Sequence, residues 1–311
     1  MIYQSIIDVI GHTPTIHLKR LSEEIGCNIF SKLESLNPGG SHKTRIALGM
    51  ISNAEETGIL IRGSNQTIIE PSGGNTGIGL AMAANLLGYK LILVIPDNYS
   101  KEKQKLLKLY GAEIILSDSR LGNNSHGEKA FEIQFEHPNY VMLNQQKNLA
   151  NPQTHRKSTA LEIIEDFSEI NLDYFIGGIG TGGHITGIGE VLLEKWPSLK
   201  IIGVEPDGCN LLKDIHVPHN IQGLSVGIIP DVLNIELIDF MVQVSVDECI
   251  KMAKILLKKE SISIGISSAA NFVAIKKLVD ENKISSDSNV FTLIYDQIDS
   301  YLNYFDIEFN N

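Results

Sequence analysis

Gln66-Thr67-Ile68-Ile69-Glu70-Pro71-Ser72-Gly73-Gly74-Asn75-Thr76-Gly77-Ile78-Gly79-Leu80-Ala81 runs from a short apolar stretch through a polar glycine turn into a series of small residues. Residues 66–70 read as a strand. The small-residue stretch reads as a helix running to about Leu87 and ending at Gly88. A strand that feeds a glycine turn and then a helix is an anion site in the making. The first N–H groups of the helix have no intrahelical partner and converge at its tip. The order returns further along: a strand over 174–176, the turn Gly177-Gly178-Ile179-Gly180-Thr181-Gly182-Gly183-His184, and a helix over 185–196.

The rest of the chain fits between these two units. Strands are expected over 28–33, 91–95, 112–116, 140–143, 199–204 and 290–294. Helices are expected over 43–56, over 100–110, from Asn151-Pro152 onward, and from Ser245 to about Lys258. Ser245 and Glu248 form a capping box. Ser267 is expected to cap a further helix over 268–279, and the polar stretch 118–127 reads as a loop. Strands and helices alternating throughout argue for an α/β fold with mostly parallel sheets and helices on both faces. At roughly 150 residues per domain, the 311 residues predict two domains. The smaller is placed over 36–148; the larger takes 1–35 and 149–311.

Composition narrows the class. The chain is 43% hydrophobic and 20% charged, ordinary for a globular protein with a sizeable core. Its formal net charge of −11 argues against nucleic acid or an anionic membrane surface as a partner. No apolar run reaches the ~18 residues of a membrane span, and the first residues carry no secretory pattern. Cys27, Cys209 and Cys249 are odd in number and far apart, which points to a reducing, cytoplasmic setting and to cysteines used as small buried hydrophobes. The histidines form no HExxH and have no cysteine partners, so no metal site is expected.

Lys43 lies in Asn37-Pro38-Gly39-Gly40-Ser41-His42-Lys43-Thr44-Arg45. Ser41 is placed to cap the helix that follows, which puts Lys43 in its first turn, where the peptide dipoles disfavour a cation. Taken alone it also reads as a solvated lysine after a turn. With a lowered pKa it would attack carbonyls and form a Schiff base. Neither glycine turn carries the acidic residue of a dinucleotide fold or the Gly-Lys-Ser/Thr of a phosphate loop. Two anion cradles and one conditioned amine call for a ligand with an aldehyde, a phosphate and a second anion. Pyridoxal 5'-phosphate with an amino acid meets all three demands.

The stretches Asn37–Lys43, Gly74-Asn75-Thr76-Gly77, Gly180-Thr181-Gly182-Gly183, Ile221-Gln222-Gly223 and Gly265-Ile266-Ser267-Ser268 occur in this order. Together they resemble cysteine synthase (O-acetylserine sulfhydrylase) and its relatives, the cystathionine β-synthase and tryptophan synthase β-chain group of fold-type II pyridoxal-phosphate enzymes. The resemblance covers nearly the whole chain. It implies two three-layer α/β domains, tryptophan synthase β-like, with the cofactor in the cleft between them, and a homodimer. It implies that Lys43 holds the cofactor as a Schiff base and moves a proton at the substrate Cα. Asn75 would bond the ring hydroxyl, and Gly180, Thr181, Gly182, Gly183 and His184 the phosphate. Ser72, Gly73, Gly74, Asn75, Thr76 and Gln145 would hold the substrate carboxylate. Gln297 falls where the family places a serine or threonine against the pyridine nitrogen. Its neutral amide favours β-elimination from a substrate with a good leaving group, followed by attack of a nucleophile.

The chain departs from the family around these positions. Gly73 replaces a serine, and the lost hydroxyl weakens carboxylate binding by about 10- to 100-fold unless another group substitutes. His184 replaces a threonine, Thr44 an aspartate, and Gln146 an aromatic residue. Gln222-Gly223-Leu224-Ser225-Val226-Gly227 and Gln297-Ile298-Asp299-Ser300 also differ. The leading expectation is β-replacement on O-acetylserine or O-phosphoserine, cysteine synthase-like. Synthesis of 2,3-diaminopropionate or cystathionine, a serine dehydratase-like reaction, and a non-catalytic binding protein on the same fold stay open beside it.

Overall fold

The computed structural model of the chain describes residues 2–122 and 124–305. Among them the strands are β1 (Thr15–His17), β2 (Asn28–Leu33), β3 (Thr67–Glu70), β4 (Lys90–Pro96), β5 (Glu113–Ser117), β6 (Val141–Met142), β7 (Tyr174–Gly178), β8 (Lys200–Pro206), β9 (Phe240–Val244) and β10 (Asn289–Ile294). The α-helices are α1 (Lys19–Ile25), α2 (Lys43–Glu56), α3 (Asn75–Leu87), α4 (Lys101–Leu109), α5 (Ser125–Glu136), α6 (Ala150–Lys157), α7 (Thr159–Asp166), α8 (Gly183–Lys195), α9 (Val246–Glu260) and α10 (Ile266–Asp280). The chain forms two compact units. One holds the stretch up to Gly11 together with Asn37–Thr154; the other holds His12–Leu36 and the chain from His155 onward.

The first unit is built on a parallel four-stranded sheet of order β5-β4-β3-β6. Its strands alternate in what they bury, as the pleat requires. Ile68, Leu91, Leu93 and Ile95 pack under α2, α3 and α4, whereas Ile69, Ile92 and Val94 meet Ala130 and Ile133 of α5 on the other face. With both faces covered, β4 reads as an unbroken apolar run. From β3 the chain crosses to β4 and β5 on one side, and β6 returns on the other. The carboxyl end of β3 is therefore a topological switch point, where open α/β sheets bind ligands.

The second unit repeats the plan with a six-stranded sheet of order β1-β2-β10-β7-β8-β9, parallel except for β1. Ile29, Ile176, Ile202 and Val204 pack against α1, α9 and α10. Phe175, Ile201, Phe291 and Leu293 pack against α7 and α8. Here the switch point is the carboxyl end of β7, with β8 on one side and β10 on the other. Each unit is thus a three-layer α/β sandwich of the expected class.

Several local expectations change. The stretch expected as a loop over 118–127 gives way to α5 at Ser125, whose polar beginning Ser-His-Gly hides the buried pair Ala130 and Ile133. Ser41 does not cap α2. Its hydroxyl is fully buried and bonds to no described residue. The carbonyls of Ser41 and His42 instead accept from the N–H groups of Thr44 and Arg45, so the first donors are already taken by backbone. Ser267 likewise lies inside α10, which starts after Gly265 without a side-chain cap. The Ser245–Glu248 capping box forms as expected, with Ser245 Oγ accepting from Glu248 N.

Candidate active site

Lys43 opens α2 in the first unit. Burial strips water from its ammonium and lowers the pKa to about 8. The cause is desolvation. Against an ordinary lysine this raises the fraction of free amine at pH 7 by more than roughly a hundredfold, which is what a carbonyl-attacking amine requires.

The proposed carboxylate loop sits at the β3 switch point of the same unit. Gly74 precedes the first turn of α3 with no side-chain cap, so the tip of the helix is left to backbone N–H groups. Thr76 Oγ1 donates to Gln145 Oε1 at 2.6 Å. Gln145 follows β6, the neighbour of β3, so the sheet order brings two remote stretches of sequence together. A residue that the sequence reading passed over holds this arrangement. Glu70, buried at the end of β3, accepts from Asn144 N at 2.8 Å and Gln145 N at 3.0 Å. Burial raises its carboxyl pKa to about 7, against the pull of those backbone donors. Asn144 has a left-handed φ of 53°, and both bonds from Glu70 fall on this turn. An acid closing an otherwise apolar strand was the signal for it.

In the second unit the turn after β7 carries Gly180, Thr181, Gly182, Gly183 and His184 into α8. A Cβ at Gly180 would overlap the Gly223 carbonyl, so the Gln222-Gly223 turn packs directly on this cradle. In the first unit, a Cβ at Gly77 would likewise overlap the Ser72 carbonyl. His184 is buried, and its Nε2 lies 3.0 Å from the Tyr295 hydroxyl, which also accepts from Gly178 N at 2.9 Å. Tyr295 closes β10, the other neighbour of β7, and was missed because an aromatic residue after an apolar strand reads as core. Burial pushes its hydroxyl pKa well above the ordinary phenol value. Gln297 is part-buried at the start of the 3-10 turn Ile298–Tyr304, and its side chain makes no capping bond there. Ser72, Gly73, Gly74, Asn75, Thr76, Gln145 and Lys43 thus lie in the first unit, and Gly180–His184 with Gln297 in the second.

The residues fit a phosphorylated aldehyde. The amine of Lys43 is desolvated, and beside it Ser41 Oγ and Thr44 Oγ1 are buried without a bond to any described residue, a state that buried polar atoms avoid in the absence of a ligand. The three cysteines are buried, and burial raises Cys27 and Cys249 to about 11 and about 12, which leaves them inert thiols. No cluster of three or more His, Cys, Asp or Glu able to hold a metal occurs among the described residues. Nor is any described helix long and apolar enough to cross a membrane.

The profile of the pyridoxal-phosphate dependent enzymes matches residues 6–296, and the chain belongs to that family. Within it the chain is a member of the cysteine synthase group. It is 46% identical to a cysteine synthase of Flavobacterium sp. over 85% of both chains. It is 41% identical to cysteine synthase B of Campylobacter jejuni over 97% of both. Among solved structures, O-ureido-L-serine synthase superposes with a TM-score of 0.94 at 33% identity, covering 100% of this chain and 98% of that one. A hydrogen sulfide-producing enzyme of Fusobacterium nucleatum gives 0.90 at 39% identity, covering 97% and 99%.

Proposed function

We propose that this chain catalyses β-replacement on an O-activated L-serine, with O-acetyl-L-serine or O-phospho-L-serine as first substrate and sulfide as nucleophile, yielding cysteine. The observation that carries the reading is the desolvated amine of Lys43 in the same unit as the Ser72–Thr76 loop and Gln145. Pyridoxal phosphate, when bound, supplies an aldehyde for the amino group and an electron-withdrawing ring. Lys43 would hold the aldehyde and would serve as the group that takes and returns the proton at the substrate Cα. Gly180, Thr181, Gly182 and Gly183 would hold the phosphate through the N–H groups at the start of α8. His184, engaged with Tyr295, orients that turn. Asn75 would bond the ring hydroxyl, and the amide of Gln297 would serve the ring nitrogen as a neutral partner.

The similarity to O-ureido-L-serine synthase supports a second reading, in which another nucleophile replaces sulfide. The departures from the family at Gly73, His184 and Gln297 support it too. We further infer a cytoplasmic homodimer, the compartment on the odd and separated cysteines and the dimer on the family resemblance.

The purified protein should absorb near ~410–420 nm, the range of the cofactor joined to a lysine. With sulfide it should release cysteine from one of O-acetyl-L-serine and O-phospho-L-serine, which names the leaving group. A protein that takes up the cofactor but turns over neither would overturn the reading. Turnover with hydroxyurea or an amine in place of sulfide would move it to the second. Sedimentation at micromolar concentration tests the dimer.

A further inference from the structure

Residue 73 is a glycine, and the space a side chain would need there is taken. A Cβ on Gly73 would lie 2.7 Å from Ile95 Cγ2 and 3.0 and 3.1 Å from Cε1 and Cζ of Tyr99. The Tyr99 hydroxyl stands 3.6 Å from where a Cβ on Gly74 would be. The ring of Tyr99 therefore occupies the volume of the missing side chain, and its oxygen rests against the tip of α3. That oxygen bonds to no other described residue.

Tyr99 is not a loosely attached surface ring. Its backbone is pinned at both ends. Its N–H donates to Pro96 O at 3.1 Å, and Gln104 Nε2 donates to its carbonyl at 2.9 Å. The ring packs onto the core that includes Ile95 and Leu93, and Lys103 Nζ lies 5.6 Å from its centroid. Burial pushes the phenol up to about 12, so it keeps its proton through the physiological range. A fixed, neutral O–H donor with no acceptor among the described residues, beside the start of a helix, is a ligand contact in waiting.

We propose that Tyr99 is a substrate-binding residue of this enzyme, donating its phenol hydrogen to the α-carboxylate of the amino-acid substrate in place of a side-chain hydroxyl at position 73. The proposal rests on the assignment of the Ser72–Thr76 loop to that carboxylate. It makes the glycine at 73 and the tyrosine at 99 one paired feature: the ring fits where it does because position 73 carries no side chain. A hydroxyl on the ring of Tyr99 reaches in from the β4–α4 connection, so the donor for the carboxylate belongs to a different segment from the loop that it completes.

The test is Tyr99→Phe, which keeps the ring and removes only the donor. Holoenzyme of both forms is titrated with L-serine and with 2-aminoethanol, the same amine without a carboxylate, and binding is read from the change in the visible band of the cofactor. The dissociation constant for L-serine should rise about 10- to 100-fold, the cost of one hydrogen bond to a charged group. That for 2-aminoethanol should not move, nor should the affinity for the cofactor. An equal change for both amines would reduce Tyr99 to a packing residue, and no change for either would remove it from the site; each overturns the proposal. A loss with O-acetyl-L-serine alone, and none with L-serine, would place the phenol on the leaving group and overturn it too. If the unaltered holoenzyme responds to neither L-serine nor O-acetyl-L-serine, the substrate reading itself falls and takes the proposal with it, an outcome visible before any variant is made.

Discussion

At the end of β3 a buried carboxylate braces the neighbouring turn; at the end of β7 a buried phenol braces its own. Glu70 takes the N–H groups of Asn144 and Gln145. Tyr295 takes the N–H of Gly178 and meets His184. Both braces stand at a switch point and join a central strand to a neighbour on the sheet, β6 in one unit and β10 in the other. The topology is shared, but the chemistry is not. A carboxyl raised to about 7 changes charge near neutrality, whereas the Tyr295 phenol stays protonated far beyond it. The Glu70 brace should therefore change charge near neutrality, and the Tyr295 hydroxyl should not.

The largest effect is expected where neither brace is touched. Lys43→Ala should lower turnover on the order of 10³-fold or more, the scale of a lost acid–base group, with the melting temperature little changed. Steady-state rates and a thermal scan of the same preparation check this. If activity survives, the comparison of braces concerns architecture only.

Next comes a matched pair of glycines. Gly180→Ala forces a Cβ into the Gly223 carbonyl, and Gly77→Ala forces one into the Ser72 carbonyl. Overpacking of this kind costs about 1–3 kcal/mol, or about 5- to 150-fold in affinity if it falls on binding. The first should weaken uptake of pyridoxal phosphate by the apoprotein; the second should spare that and weaken amino-acid binding to the holoenzyme. Reconstitution followed by fluorescence separates them, and a reversed pattern would exchange the roles of the two turns.

Tyr295→Phe leaves Gly178 N–H without its acceptor in a buried site. A stability loss of about 1–3 kcal/mol is expected, measured by denaturant unfolding. The smallest and most diagnostic effect belongs to Glu70. Its carboxyl releases the proton near 4.5 when unfolded and near 7 when folded. Between those values the native state holds more protons than the unfolded chain, so this group's stability contribution is full below 4.5 and declines as pH rises through 7. Glu70→Gln abolishes that titration. At pH 5 the variant should be less stable by about 1 kcal/mol, since it gives up one acceptor oxygen, and the deficit should narrow or reverse by pH 8. Melting curves across this range would show a pH-independent deficit if Glu70 does not titrate there.

Much of this follows from local pattern. The glycine turns after β3 and β7 could be found because each joins an apolar run to a run of small residues, and the start of α9 because a capping box is written in two residues three apart. The start of α5 could not, since its polar first turn looks like loop and only Ala130 and Ile133 touch the sheet. Ser41 and Ser267 mislead for a related reason: a serine near a helix start offers a cap, but backbone carbonyls or helical geometry can take that place.

The order of residues along the chain was enough for the class of fold, the place of Lys43 at the start of a helix and the two glycine turns, because each is a property of neighbours in sequence. Glu70 against Gln145, Tyr295 against His184, and Tyr99 over Gly73 are pairings across 75, 111 and 26 positions. Strand order and helix packing alone bring such residues together. Burial then decides their protonation and leaves one phenol beside the glycine turn with its hydrogen still to give.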